Sequence, residues 1–326
     1  MKLEEYFDTL LADTVNLPQS KLDLLASRSK SVHDALVADL SIGDNIIGYT
    51  VQGSWAQRTI INPVGGKEFD ADILLNMNEV PDWEPKDYIE QVYWALDRHA
   101  TYASMPHRRR CRCVTLTYAN SMHIDIVPHL ILSDEREVIT NRDENEWETT
   151  DPDGFTQWMK NQDEACGGNL RKVIRLVKFL RDHRNSFTGT PSIIITTLLG
   201  NQALPVGQIL GYYTTLPDTL LHLVEALDVW LQQQPSPPSI ADPSGSGATF
   251  DHRWNESSYR YFRERMHAHA AQIRAAYNEA DKNQSVAKWQ TLFGDGFRPP
   301  IEQERKPFIV PPLAPTPSIH RAGRAG

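Results

Sequence analysis

Apolar positions along the chain change period twice. Leu3, Tyr6, Phe7, Leu10 and Leu11 recur at helical spacing, and after Pro18 the stripe resumes with Leu22, Leu25, Val32, Ala35, Leu36 and Leu40. Two helices are therefore predicted over the first forty residues. Between about residues 46 and 132 the runs IIGYTVQGS, FDADILLNM, CRCVTLTY and MHIDIVPHLIL are rich in Val, Ile, Thr and Tyr, and read as strands interrupted by one helix at about 87–99. This half reads as a helix-backed mixed sheet. From about residue 155 the period is helical again. Leu170, Val173, Ile174, Val177 and Leu180 form one stripe over 170–181, while Arg171, Arg175 and Lys178 share another face at i, i+4, i+7. Further helices are predicted at 193–199, 215–233 and 254–278. The segment PSPPSIADPSGSGATF between the last two marks a surface loop, and the proline-rich stretch after Arg298 reads as an extended or disordered tail.

Composition narrows the class. With 40% apolar and 23% charged residues over 326 positions, the chain has the balance of a soluble globular protein. Lys plus Arg (33) against Asp plus Glu (42) leaves a net charge of −9, which disfavours a generic nucleic-acid binder. No apolar run approaches the roughly 18–20 residues of a membrane helix, and the opening MKLEEYFDTLLADT is too acidic for a secretory signal. Cys111, Cys113 and Cys166 form no Cys-x-x-Cys pair, so reduced thiols and a cytoplasmic location are expected.

The chemistry concentrates in two runs. In Phe69-Asp70-Ala71-Asp72-Ile73 the acids alternate with apolar residues, so on a strand Asp70 and Asp72 share one face. Asp125 stands alone between Ile124 and Ile126. Three carboxylates on neighbouring strands repel one another and carry a desolvation cost, which divalent cations relieve. Hard Mg²⁺ prefers oxygen ligands, and two such ions would activate an attacking hydroxyl and stabilise a leaving pyrophosphate. Upstream, Gly53-Ser54 ends a strand, where a glycine admits the close approach of a phosphate.

Gly-Ser, then Asp-x-Asp, then Ile-Asp-Ile closely resembles the nucleotidyltransferase fold of polymerase-beta type. Within it the chain resembles the bacterial cGAS/DncV-like nucleotidyltransferases (CD-NTases) of antiphage (CBASS) signalling operons. The resemblance implies an α+β, bilobed fold: a mixed-sheet palm backed by the N-terminal helices over 1–155, a helical lobe over 156–298 and a flexible tail over 299–326. It assigns Asp70, Asp72 and Asp125 to catalysis and to two Mg²⁺ (or Mn²⁺) ions. It assigns Gln52, Gly53 and Ser54 (with Thr59 following) to the donor-phosphate turn, and Lys178 and Ser192 to the same triphosphate. Asp242 falls in a segment similar to the family's lid, and Leu292–Phe297 resembles its closing motif. ATP and GTP are the implied substrates, with other NTPs left open, and the implied product is a purine-containing cyclic di- or trinucleotide, foremost cyclic GMP-AMP, that a downstream effector would bind. No zinc-binding insert is present and no membrane is implied; neither is activation by long DNA.

Several alternatives stay open in the sequence. A nucleotidyltransferase that modifies RNA or protein uses the same triad, and a non-catalytic nucleotide sensor is the third reading. The run His107–Arg112 is ordinarily a solvated turn, unless an arginine such as Arg112 reaches an incoming triphosphate; His123, on the strand face of Asp125, is a neighbour of the pocket rather than a ligand. The tail ending Arg324-Ala325-Gly326 is ordinarily a loose terminus, but some members of the resembled family are conjugated through their C-termini. The resemblance thus offers Gly326 as the site for a ubiquitin-like conjugation enzyme.

Overall fold

Alternation along the strands separates a buried face from a chemical one. In the computed structural model, which describes residues 1–119, 122–251 and 254–301, strand β2 (Phe69–Met77) buries Phe69, Ala71, Ile73, Leu75 and Met77 while Asp70 is exposed and Asp72 half-buried. Strand β5 (Met122–Ile131) does the same, with Met122, Ile124 and Ile126 inside and Asp125 half-buried on the opposite side. The tail with Gly326, like His252 and Arg253, lies outside the described residues.

Among the described residues seven strands form one sheet. β1 (Ile46–Gln52), β2, β5, β4 (Val114–Tyr118) and β3 (His107–Arg109) lie in that spatial order, and β6 (Glu137–Asn141) extends the far half of β5 and carries β7 (Glu146–Thr149). Only β2 and β5 are parallel among these pairs, so the sheet is mixed. Its apolar face packs on α2 (Gln19–Val37) and α4 (Pro85–Arg98), through Leu25, Val32 and Leu36 of the first and Tyr88, Ile89, Val92 and Leu96 of the second. Helix α4 starts cleanly, with a reciprocal Glu84–Asp87 capping box and Pro85 in its first turn.

A second apolar cluster gathers the remaining helices: α5 (Pro152–Ala165), α6 (Leu170–His183), α7 (Ser192–Gly200), α8 (Leu216–Gln232), α9 (Glu256–Asn278) and α10 (Lys282–Phe293). Helix α1 (Glu4–Leu10) belongs to this cluster too. The expectation that both N-terminal helices back the sheet therefore holds for α2 and fails for α1. Phe7 lies edge-on to Trp289 and Phe297, each at 5.0 Å between ring centroids, so aromatic packing draws α1 to the far end of the chain. Strand β3 also occupies the first half of the run His107–Arg112, where a solvated turn was expected. The guanidinium of Arg109 lies 3.5 Å from the Tyr93 ring, which gives that short edge strand an anchor on α4. No helix among the described residues is long and apolar enough to cross a membrane.

Candidate active site

Register brings the acids together. In the antiparallel β1–β2 pair Gln52 stands opposite Asp72, and in the parallel β2–β5 pair Asp72 stands opposite Asp125 and Asp70 opposite His123. Directly after Gln52 the chain turns into the short helix α3 (Gly53–Ala56), with Gly53 at φ 64°. A Cβ at Gly53 would lie 2.1 Å from Oδ2 of Asp72, so glycine is required both by its backbone and by the carboxylate beside it. The close approach here is that of the Asp72 carboxylate, where the sequence had suggested a phosphate.

The third acid is held from the next strand. Thr115 on β4 faces Asp125 across the ladder, and its hydroxyl donates to Asp125 Oδ1 at 2.6 Å. Burial, with the Asp125 charge behind it, pushes the neighbouring Cys113 thiol up to about 12, so the thiol keeps its proton. Asp70, Asp72 and Asp125 offer a cation carboxylate oxygens here, which suits a hard divalent ion. Among the described residues no three His, Cys, Asp or Glu side chains close into a metal cage. An ion held by these carboxylates would need further ligands, which for Mg²⁺ are ordinarily water and phosphate.

These residues open on a cleft of about 910 Å³ between sheet and helices. Asp70, Asp72, Asp125, Gln52, Gly53, Ser54, Lys178, Ser192 and Asp242 all line it. Their states differ, however. Lys178 is buried and donates to the Thr59 carbonyl at 2.8 Å; burial, reinforced by the Arg181 charge, brings its ammonium down to about 8 against the pull of Asp70 and Asp72. Ser192 heads α7, where its hydroxyl accepts from Arg181 at 3.3 Å. Both oxygens of Asp242 are taken by its own loop, from the Ser244 amide and the Ser246 hydroxyl, each at 2.9 Å. Asp242 thus shapes its own loop.

Arg112, the candidate for an incoming triphosphate, is instead paired through two nitrogens with Glu148 of β7, the Nη2–Oε1 contact being 2.7 Å. Asn141 donates to the same carboxylate at 2.7 Å. His123 meets Glu68 at 3.3 Å, beside the acids but with a partner of its own. Sequence reasoning missed three contributors: Thr115, Glu148 and Arg181, which also donates to the Thr190 carbonyl at 3.1 Å. A threonine on a β-branched strand carries no signal for its role until the pairing of β4 with β5 is known.

Oxygen donors on adjacent strands, set against a turn that only glycine can make, suit the transfer of a nucleotidyl group, and the protein is a nucleotidyltransferase. More narrowly, the chain belongs to the Second Messenger Oligonucleotide or Dinucleotide Synthetase family, whose domain matches residues 1–163. It is 24% identical to the cyclic AMP-AMP-AMP synthase of an Acinetobacter strain over 91% of this chain and 86% of that protein. It is 25% identical to the cyclic AMP-AMP-GMP synthase of Enterobacter hormaechei over 93% and 94% respectively. Among solved structures it shares its fold with the Bradyrhizobium diazoefficiens CD-NTase CdnG in complex with GTP, at a TM-score of 0.71 and 18% identity over 90% of this chain and 96% of that one. Vibrio cholerae DncV, a cyclic AMP-GMP synthase in complex with a nonhydrolysable GTP, aligns at 0.70 and 16% identity over 90% and 96%.

Proposed function

We propose that this protein joins two or three purine nucleoside triphosphates, ATP among them, into a cyclic oligonucleotide and releases pyrophosphate. The observation that carries the reading is the register Gln52–Asp72–Asp125, which lines the donor turn and the acids up across three neighbouring strands. The two relatives above that span more than nine-tenths of this chain are synthases of adenine-containing trinucleotides, which favours an adenine-containing product. Cyclic GMP-AMP remains the dinucleotide form of that expectation.

In this mechanism Asp70 and Asp72, together with Asp125 steadied by Thr115, would hold the divalent ions. When bound, Mg²⁺ supplies a lowered proton affinity at the attacking ribose hydroxyl and charge stabilisation at the leaving pyrophosphate. Ser54 and the Gly53 backbone hold the non-reacting phosphates of the donor, and Lys178 and Ser192 face them from α6 and α7. Catalysis rests on positioning and charge, with no covalent enzyme intermediate. Cyclisation follows when the linear product returns with its remaining triphosphate in the donor position.

The test is incubation with labelled NTPs and Mg²⁺ in the absence of any RNA or protein acceptor. A phosphatase-resistant small product is expected, and mass spectrometry identifies its bases. Asp70→Asn combined with Asp72→Asn should lower pyrophosphate release at least about 10³-fold with the melting temperature retained, since preorganised charge supplies most of the acceleration. Full activity in the double variant, or label that moves only to an added acceptor, overturns the reading.

A further inference from the structure

Three cations on one face of α6 meet three consecutive carbonyls of the chain that follows the donor turn. Arg171 Nε donates to Gln57 O at 3.0 Å, Arg175 Nη1 to Arg58 O at 3.0 Å and Lys178 Nζ to Thr59 O at 2.8 Å. From the inner side the same stretch is tied back to the turn, with the amides of Gln57, Arg58 and Thr59 donating to Gly53, Trp55 and Ser54. The clasped segment is strained as well, because Arg58 sits at φ 55°, where a residue with a Cβ is disfavoured.

Arg175 shows that this arrangement is costly. Its guanidinium is desolvated, its Nε is buried without a hydrogen-bond partner, and among the described residues it forms no ion pair, Asp163 acting on it only through longer-range attraction. A cation placed for stability alone is ordinarily matched with a carboxylate. Arg171 has one, since its Nη1 lies 2.7 Å from Asp163. Arg175 spends its charge on a main-chain carbonyl four residues beyond Ser54.

We propose that Arg171 and Arg175 are positioning residues for nucleotidyl transfer: from the helical lobe they fix the carbonyls of Gln57 and Arg58, and so set where the Gly53–Ser54 turn stands against Asp72 and how tightly the donor triphosphate is held. Neither touches the nucleotide. This inference rests on the proposed donor role of the turn, and the two can fail separately.

Pyrophosphate release against NTP concentration, in the full-length protein with Mg²⁺, gives the test. Arg175→Met is expected to raise KM about tenfold with kcat within about twofold, because the turn grips phosphates that do not react. Arg175→Lys, which keeps a donor and the charge, is expected to recover to within about threefold of the wild type. A residue needed only for folding would behave oppositely, lowering kcat through loss of active protein with KM unchanged. Should Arg175→Met fail to fold, Arg175→Gln and Arg171→Gln carry the same measurement, each expected to raise KM at least threefold. Wild-type KM in every folded variant, or a loss confined to kcat, overturns the inference. Absence of pyrophosphate release by the wild type itself overturns the proposed function instead.

Discussion

The two walls of the cleft dispose of their charge in opposite ways. On the sheet side Asp70, Asp72 and Asp125 are kept at the cleft surface, and the protein supplies a hydroxyl from Thr115 rather than a lysine or arginine at hydrogen-bond distance from Asp125. On the helix side Lys178 and Arg181 line the cleft, and they and Arg171 and Arg175 on the same helix each donate to a backbone carbonyl. The acids face the cleft, whereas the cations reach across to main chain and tie α6 to the segments beside it. Residue type alone would have assigned both walls to the ligand.

The comparison breaks most sharply at Gly53, where the two walls meet. Gly53→Ala places a methyl 2.1 Å from Asp72 Oδ2 at a φ of 64°, so either the turn or the carboxylate must move. A misplacement near 1 Å can cost on the order of 10²-fold in rate. We expect a drop of that size in pyrophosphate release with a melting temperature only a few degrees lower. A variant as active as the wild type would show that the turn and Asp72 need not stand so close.

Thr115→Val sharpens the sheet side. Losing a hydrogen bond to a charged group is worth roughly 1.5–3 kcal/mol, and about 1.4 kcal/mol is tenfold in rate. Valine keeps the strand shape, so a roughly tenfold fall in kcat with unchanged secondary structure by circular dichroism is expected. Wild-type kcat in this variant would mean that Asp125 is oriented without the hydroxyl.

The sheet wall was more legible in the sequence than the helix wall, for a physical reason. A strand has period 2, so Asp-x-Asp between apolar residues already states that both acids share the polar face, and Phe69, Ala71 and Ile73 are indeed inside. The stripe Arg171–Arg175–Lys178 was equally visible as a pattern, but a pattern of cations does not say whether phosphate or peptide carbonyl receives them. That depends on the approach of α6 to residues 57–59, a contact between segments more than a hundred residues apart. Strands β6 and β7 were missed because EVITN and EWET are short and carry charge, and the pairing of β6 with β5 and of β7 with β6 comes from the tertiary fold. Helix α10 was missed because KNQSVAKWQTLF buries little beyond Ser285, Trp289, Leu292 and Phe293, too sparse a stripe to read alone.

The smallest effect concerns the cost of the helix wall itself. Burial brings Lys178 down to about 8, whereas an unfolded lysine titrates near 10.4. Below about pH 8 both states carry the proton, and the price of a buried charge is constant. Between about 8 and 10.4 the unfolded chain binds the proton that the folded protein has released, so stability from this group rises with pH. Lys178→Met keeps most of the apolar stem and removes the titration. The melting temperature of the wild type relative to this variant should therefore climb by a few degrees at most between pH 7 and 9.5, where other titrating groups affect both proteins alike. A difference that stays flat across that range would place the Lys178 charge in contact with solvent, and the clasp on Thr59 would then be no more than a surface hydrogen bond.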